Sequence, residues 1–158
     1  MKISWIEPNV LAASPLPMDA HDIRSLHEQG IRAIITLTES AVTSQGTISP
    51  SLMDNLGITS FHLPIEDYLN PTNEQVAEAV TFIDRMQAEN KPTLIHCFAG
   101  QGRTGTMLHA YYLTKGWSLD DTCKHVSEMR PLCIFKDLSR EQQAFLRDFA
   151  ASGRTKNV

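Results

Sequence analysis

A chain of 158 residues is long enough for one domain with a hydrophobic core of its own, and its balance of 42% hydrophobic to 20% charged residues is that of a globular protein. The formal net charge of −4 gives no basis for the broad electrostatic grip that nucleic acid demands, so no nucleic-acid partner is expected. No apolar run approaches the length of a membrane span, and Glu7 and Pro8 interrupt the N-terminal segment before it could serve as a secretory signal.

In chain order, the first strand candidate is Val10-Leu11-Ala12-Ala13. Asp19 then caps a helix carrying Ile23 and Leu26, with Gly30 as its stop. Residues 31–37 and 58–63 are short apolar runs of the kind that form buried strands. Thr72 and Gln75 form a capping-box pattern ahead of Val76, Ala79, Val80 and Ile83, which share one helical face. Thr93-Leu94-Ile95-His96 is a further strand and leads straight into Cys97. Residues 103–115 read as a helix ended by Gly116. Ser118 and Asp121 open the next, with Leu119, Thr122, Cys123 and Val126 on one side and Pro131 past its end. Ser139 and Gln142 open the last, which buries Phe145, Leu146 and Phe149.

Strands separated by helices predict an α/β fold of three layers, with a mainly parallel central sheet flanked by helices. One domain is expected over residues 1–151, followed by a short polar tail at 152–158. In such sheets ligands bind where strand C-terminal ends meet helix N-termini, and Cys97 sits at one of those junctions.

The segment there is His96-Cys97-Phe98-Ala99-Gly100-Gln101-Gly102-Arg103-Thr104-Gly105. A loop of this length can curl so that successive backbone N–H groups converge on one centre, and Gly100 and Gly102 supply the positive φ and close approach this needs. Phe98, Ala99, Gly100, Gln101 and Gly102 are thus the predicted cradle for a tetrahedral dianion, with Arg103 gripping two of its oxygens. The helix N-terminus beyond adds free N–H groups and partial positive charge. The same field favours the thiolate of Cys97, and the Thr104 hydroxyl is placed to donate to the sulfur. Cys97, Cys123 and Cys133 are too few for a disulfide framework, and no clustered Cys/His spacing suggests a metal site. A reducing cytoplasm suits a free thiolate, and neither a metal nor a cofactor is expected.

Expelling an alkoxide or phenoxide from a phosphate ester requires a proton donor. Glu66 and Asp67 follow the strand at 58–63 on what reads as a loop, and either carboxyl could supply it.

Cys97, five residues, Arg103 and Thr104 match the Cys-x5-Arg-Ser/Thr signature of the protein tyrosine phosphatase superfamily. The chain resembles the small atypical dual-specificity phosphatases, of the compact VH1-like and bacterial-archaeal type. Leu37-Thr38-Glu39, Pro64-Ile65-Glu66-Asp67 and Glu141-Gln142 extend the resemblance from about residue 5 to 149. It implies the phosphatase fold and hydrolysis of phosphate monoesters through a phosphocysteine on Cys97. It also implies that Asp67, rather than its neighbour Glu66, is the general acid, and that Gln142 positions the hydrolytic water. Gln142 is equally readable as half of a capping box. By the same resemblance Glu39 pairs with Arg103, or else is an exposed turn carboxylate. His96 orients the loop by hydrogen bonding or tunes the thiol electrostatically. Cys123 lies on an apolar stripe and is expected in the core, while Cys133 is a candidate resolving thiol for an oxidised Cys97.

The chain is too short to hold the extra recognition loop of the longer tyrosine phosphatases. A shallow cleft is therefore expected, with a phosphorylated protein or peptide as partner and Tyr68 beside the cleft. Phosphoinositides and RNA 5′-phosphates are alternative substrates, although Phe98, Gln101 and Gly102 stand where such enzymes often carry lysine or asparagine. A non-catalytic phosphoprotein-binding module and a sulfurtransferase are the competing classes.

Overall fold

The computed structural model describes residues 1–153. Five strands form one sheet: β1 (Ser4–Glu7), β2 (Leu11–Ser14), β3 (Ala33–Thr36), β4 (Thr59–His62) and β5 (Thr93–His96). Their order is β1-β2-β5-β3-β4; β1 runs antiparallel to β2, and the other pairs are parallel. Among the described residues there are six α-helices, α1 (Ala20–Glu28), α2 (Pro50–Asn55), α3 (Asn73–Ala88), α4 (Gly102–Thr114), α5 (Leu119–Met129) and α6 (Arg140–Ala151), and three short 3-10 turns at Val42–Ser44, Pro131–Cys133 and Phe135–Asp137. The four expected strands all form, with ends within a residue or two of those predicted.

Period-two alternation sorts the side chains onto two faces. On one face Ala12, Ile34 and Leu94 pack with Ile23 and Leu26 of α1 and Leu52 and Met53 of α2. On the other Ala13, Ile35 and Ile95 meet α3, α4, α5 and α6 through Val80, Leu108, Val126 and Leu146. Strands buried on both faces read as continuous apolar runs, which is why the parallel strands are visible in the sequence. The fold is therefore the predicted three-layer α/β arrangement.

The helix boundaries follow from local chemistry. Asp19 accepts from the Asp22 amide at the start of α1, and both halves of the capping box form at Thr72/Gln75 and again at Ser139/Gln142. Two elements go beyond the sequence expectations. β1 is a four-residue edge strand with a bulge between Trp5 and Glu7, and α2 is a six-residue helix capped by Ser49 with Pro50 in its first turn. Both are too short to establish a periodicity. The expected polar tail falls mostly on residues 154–158, outside the described residues.

Helix α4 is buried along its whole length from Arg103 to Thr114, enclosed by α3, α5 and α6, so it has no exposed polar face. One expectation changes. Cys123 is only half-buried, because α5 turns Thr122 and Val126 rather than Cys123 fully inward.

Candidate active site

Strand β5 lies in the middle of the sheet and ends at His96, and residues 97–101 curl from there into α4. The loop is held from outside by its carbonyls. The Phe98 carbonyl accepts from the Leu16 amide at 2.9 Å, and that of Gly100 accepts from Arg130 Nε at 2.9 Å and Cys133 Sγ at 3.3 Å. The Gln101 carbonyl accepts from the Gly105 amide at 2.6 Å. In a trans peptide C=O and N–H point in opposite directions, so these anchors turn the N–H groups of Ala99, Gln101 and Gly102 to the inner side. The N-terminus of α4 carries no side-chain cap, which leaves its own N–H groups and partial positive charge facing the same centre.

The two loop glycines serve different purposes. Gly100 has φ +70°, and a Cβ there would lie 2.5 Å from the Ser14 carbonyl oxygen. It sits buried behind the loop rather than on the cleft wall. Gly102 does not adopt the positive φ expected of it. It is the first residue of α4, and a Cβ there would approach the Gln142 side-chain amide to 3.2 Å. Its value is therefore space for Gln142.

A cleft of about 380 Å³ lies over the loop, lined by Cys97, Phe98, Ala99, Gln101, Gly102, Arg103, Asp67, Tyr68 and Gln142, and closed by Leu132, Asp137, Leu138 and Ser139. At its base Cys97 is only 3% exposed, and its sulfur accepts a hydrogen bond from the Thr104 hydroxyl at 3.1 Å. His96, fully buried beneath, has Nδ1 3.0 Å from the Cys97 carbonyl and Nε2 2.9 Å from the Thr36 hydroxyl. A carbonyl can only accept, so Nδ1 bears the proton and Thr36 donates to Nε2. Burial pushes the imidazole pKa down to about 4, so His96 is neutral near pH 7 and acts as a hydrogen-bonding strut.

Arg103 is buried, and its fork is already fixed on one side. Nη1 donates to Glu39 Oε1 at 2.6 Å and to the Ile65 carbonyl at 2.9 Å. Glu39 is thus the partner of Arg103; its own backbone N–H and then the guanidinium hold its carboxyl below the usual range. Arg103 Nε makes no hydrogen bond and stands 3.5 Å from Asp67 Oδ1. Of the two neighbouring carboxylates, Asp67 lines the cleft and Glu66 does not.

Gln142 does two things at once. Its Oε1 accepts from the Ser139 amide at 3.0 Å, completing the capping box, while Nε2 donates to the Leu69 carbonyl at 3.1 Å. It also lines the cleft beside Gly102. Cys133 is fully buried with its thiol pKa raised to about 12 by desolvation, and it serves as a donor to the loop carbonyls rather than as a reactive thiol.

Three contributors escape a reading of the sequence. Arg130 braces Gly100 and donates through Nη1 to Ser4 Oγ at 2.9 Å. Thr36 anchors His96, and Ser139 Oγ donates to the Tyr68 carbonyl at 2.6 Å. Only Ser139 carries a local signal, and that signal reads as a helix cap.

A family model described as PTP-SAK, a Swiss Army Knife protein DSP-PTPase phosphatase domain, matches residues 1–150. The phosphatidylglycerophosphate phosphatase PTPMT1 of Arabidopsis thaliana is 32% identical over 124 residues, covering 77% of this chain and 35% of that protein. The phosphatidylglycerophosphatase and protein-tyrosine phosphatase 1 of Homo sapiens is 26% identical over 127 residues, covering 79% of this chain and 63% of that protein. The chain thus spans less than two thirds of these curated relatives. Among solved structures, Tk-PTP in its active form superposes with a TM-score of 0.79 at 25% identity, covering 94% of this chain and 96% of that one.

Proposed function

Because the chain belongs to the DSP-PTPase family of small cysteine-dependent phosphatases, we propose that it hydrolyses phosphate monoesters through a phosphocysteine on Cys97. One observation carries this reading: a single cleft holds the Cys97 sulfur with a hydroxyl donor, the free edge of a buried arginine, and the Asp67 carboxyl 3.5 Å from that edge.

In the first step the Cys97 thiolate attacks phosphorus, the P–S bond forms, and the P–O bond to the leaving group breaks as Asp67 delivers its proton to the departing oxygen. Arg103 and the inward N–H groups hold the equatorial oxygens. In the second step water attacks the phosphocysteine and gives its proton to Asp67, and the thiolate leaves. Thr104 stabilises the sulfur in both steps. Gln142, already at the cleft wall, is the side chain that orients the water, with the second Nε2 hydrogen and the second Oε1 lone pair that its bonds to Leu69 and Ser139 leave over.

The substrate of this first reading is a phosphotyrosyl protein, with phosphoserine and phosphothreonine also admitted. Its support is the cleft mouth, where the exposed rings of Tyr68 and Phe98 can flank an aryl group. The reducing cytoplasm remains the compartment that suits an unpaired thiolate. A second reading, a lipid phosphate monoester, is favoured by the names of the relatives and by Leu69 and Leu132, which are exposed near the same mouth. Turnover of p-nitrophenyl phosphate by the wild type and its loss in Cys97→Ser test the chemistry; equal activity in both sinks it. Measuring kcat/KM on a phosphotyrosyl peptide and on micellar phosphatidylglycerophosphate decides the substrate. The first reading expects the peptide to be preferred, and preference for the lipid replaces it with the second.

A further inference from the structure

Asp67 sits on an exposed loop, yet the backbone of that loop is tied down at two successive carbonyls. The Tyr68 carbonyl accepts from Ser139 Oγ at 2.6 Å, and the Leu69 carbonyl accepts from Gln142 Nε2 at 3.1 Å. Both donors belong to the capping box of α6, more than 70 residues away. Ser139 Oγ meanwhile accepts the Gln142 amide at 3.1 Å, so the hydroxyl proton is free to bond only outward, to Tyr68.

The backbone at that point is under tension. Tyr68 has φ +68°, a left-handed conformation that an aromatic residue rarely adopts and that persists only when its surroundings hold it. Its side chain is 72% exposed and supplies no such restraint. Its amide donates to Asp67 Oδ1 at 2.9 Å, which ties the Asp67 carboxyl to the backbone of the same turn. The Leu69 amide closes this turn onto the Glu66 carbonyl at 3.0 Å, and the pair of hydrogen bonds from α6 holds the same turn from outside.

We infer that Ser139 is a positioning residue: its hydroxyl latches the Tyr68 peptide in the left-handed conformation that aims Asp67 into the cleft. The inference rests on Asp67 being the general acid. Without the latch the Tyr68 peptide relaxes to negative φ, and the carboxyl turns away from the leaving oxygen. The loss then scales with how much protonation the leaving group needs. A phenol that leaves readily as its anion is spared, and a weakly acidic one is not. A purely structural Ser139 would instead lower stability and slow all substrates alike.

The test is kcat/KM across aryl phosphates from 2,4-dinitrophenyl to phenyl phosphate, which reports the first chemical step. Ser139→Gly is the main variant, because glycine preserves most of the capping at a helix N-terminus while removing the hydroxyl. Ser139→Thr retains both hydrogen-bonding roles, and Asp67→Asn is the reference for a lost acid. For Ser139→Gly the ratio of kcat/KM between the best and worst leaving groups is expected to widen about five- to tenfold. Asp67→Asn should widen it by about a hundredfold or more, and Ser139→Thr should restore the wild-type ratio. If Asp67→Asn widens the ratio and Ser139→Gly leaves it at the wild-type value, the latch is overturned and the acid assignment stands. If Asp67→Asn does not widen it, the acid assignment falls and the latch with it.

Discussion

The hydroxyl of Thr104, in the first turn of α4 and out of contact with solvent, donates to the sulfur of Cys97 across 3.1 Å. It is the one side-chain hydrogen bond to the nucleophile among the described residues, and it bears on the sulfur most when the sulfur must leave. Thr104→Ala should therefore slow hydrolysis of the phosphocysteine more than its formation. A hydrogen bond to a charged group contributes about 1.5–3 kcal/mol, so kcat should fall roughly ten- to hundredfold. Rapid-mixing experiments with p-nitrophenyl phosphate should then show a burst of product followed by a slow steady state. A loss of kcat/KM with no burst would assign the bond to the first step instead.

His96 should remain uncharged where most assays are run. Its pKa is lowered to about 4 from a usual 6.5, so between those values the unfolded chain binds a proton that the folded protein refuses. Stability then rises with pH across this window and is lost on acidification; from pH 7 to pH 5 the loss attributable to His96 is roughly 2 kcal/mol. The imidazole resonances of His96 should be flat from pH 8 to about pH 5.5 in an NMR titration. Titration near pH 6.5 would mean that the ring is not a neutral strut.

Glu39 titrates with the opposite consequence for the charged form. Its folded pKa is depressed, so the ion pair with Arg103 is present at neutral pH and is lost as pH falls through that lowered value. Glu39 is 60% exposed, so Glu39→Gln should cost only a few tenths of a kcal/mol in urea denaturation at about pH 7, and nothing once the pH is below that lowered pKa. Its larger effect should be on catalysis: Arg103 loses the partner that fixes its fork, and kcat/KM should drop several-fold while Tm barely moves.

The two loop glycines should respond differently to alanine. At Gly100 the methyl meets backbone 2.5 Å away at a positive φ, so Gly100→Ala should cost about 2 kcal/mol or more and remove activity. At Gly102 the methyl meets only the end of the Gln142 side chain, and alanine is the better helix former. Gly102→Ala should stay within about 1 kcal/mol of wild type by thermal denaturation yet slow the step in which Gln142 takes part.

What can be read from the sequence is what is contiguous in it. Cys97, Gly100, Arg103 and Thr104 lie within eight residues, and their spacing alone describes a phosphate cradle. The capping boxes at Thr72 and Ser139 are equally local, and both form. The partners that make the cradle work are distant. Arg103 meets Glu39 across 64 positions, Arg130 meets Ser4 across 126, and Ser139 meets Tyr68 across 71. No local pattern marks an arginine at the end of α5 as a brace for a loop thirty residues earlier. Gln142 shows the same limit differently, because one amide both caps α6 and lines the cleft, and its spacing displays only the first.

Arg130 is buried with no ion-pair partner among the described residues, its charge spread over the Gly100 carbonyl and the Ser4 hydroxyl. The catalytic signature is thus a short stretch of chain whose foundations are scattered from Ser4 to Gln142. A peptide spanning residues 93–116 would contain every letter of the motif and none of its walls. The cradle is therefore a property of the assembled chain, and protection of the buried Cys97 from thiol alkylation can report when assembly is complete.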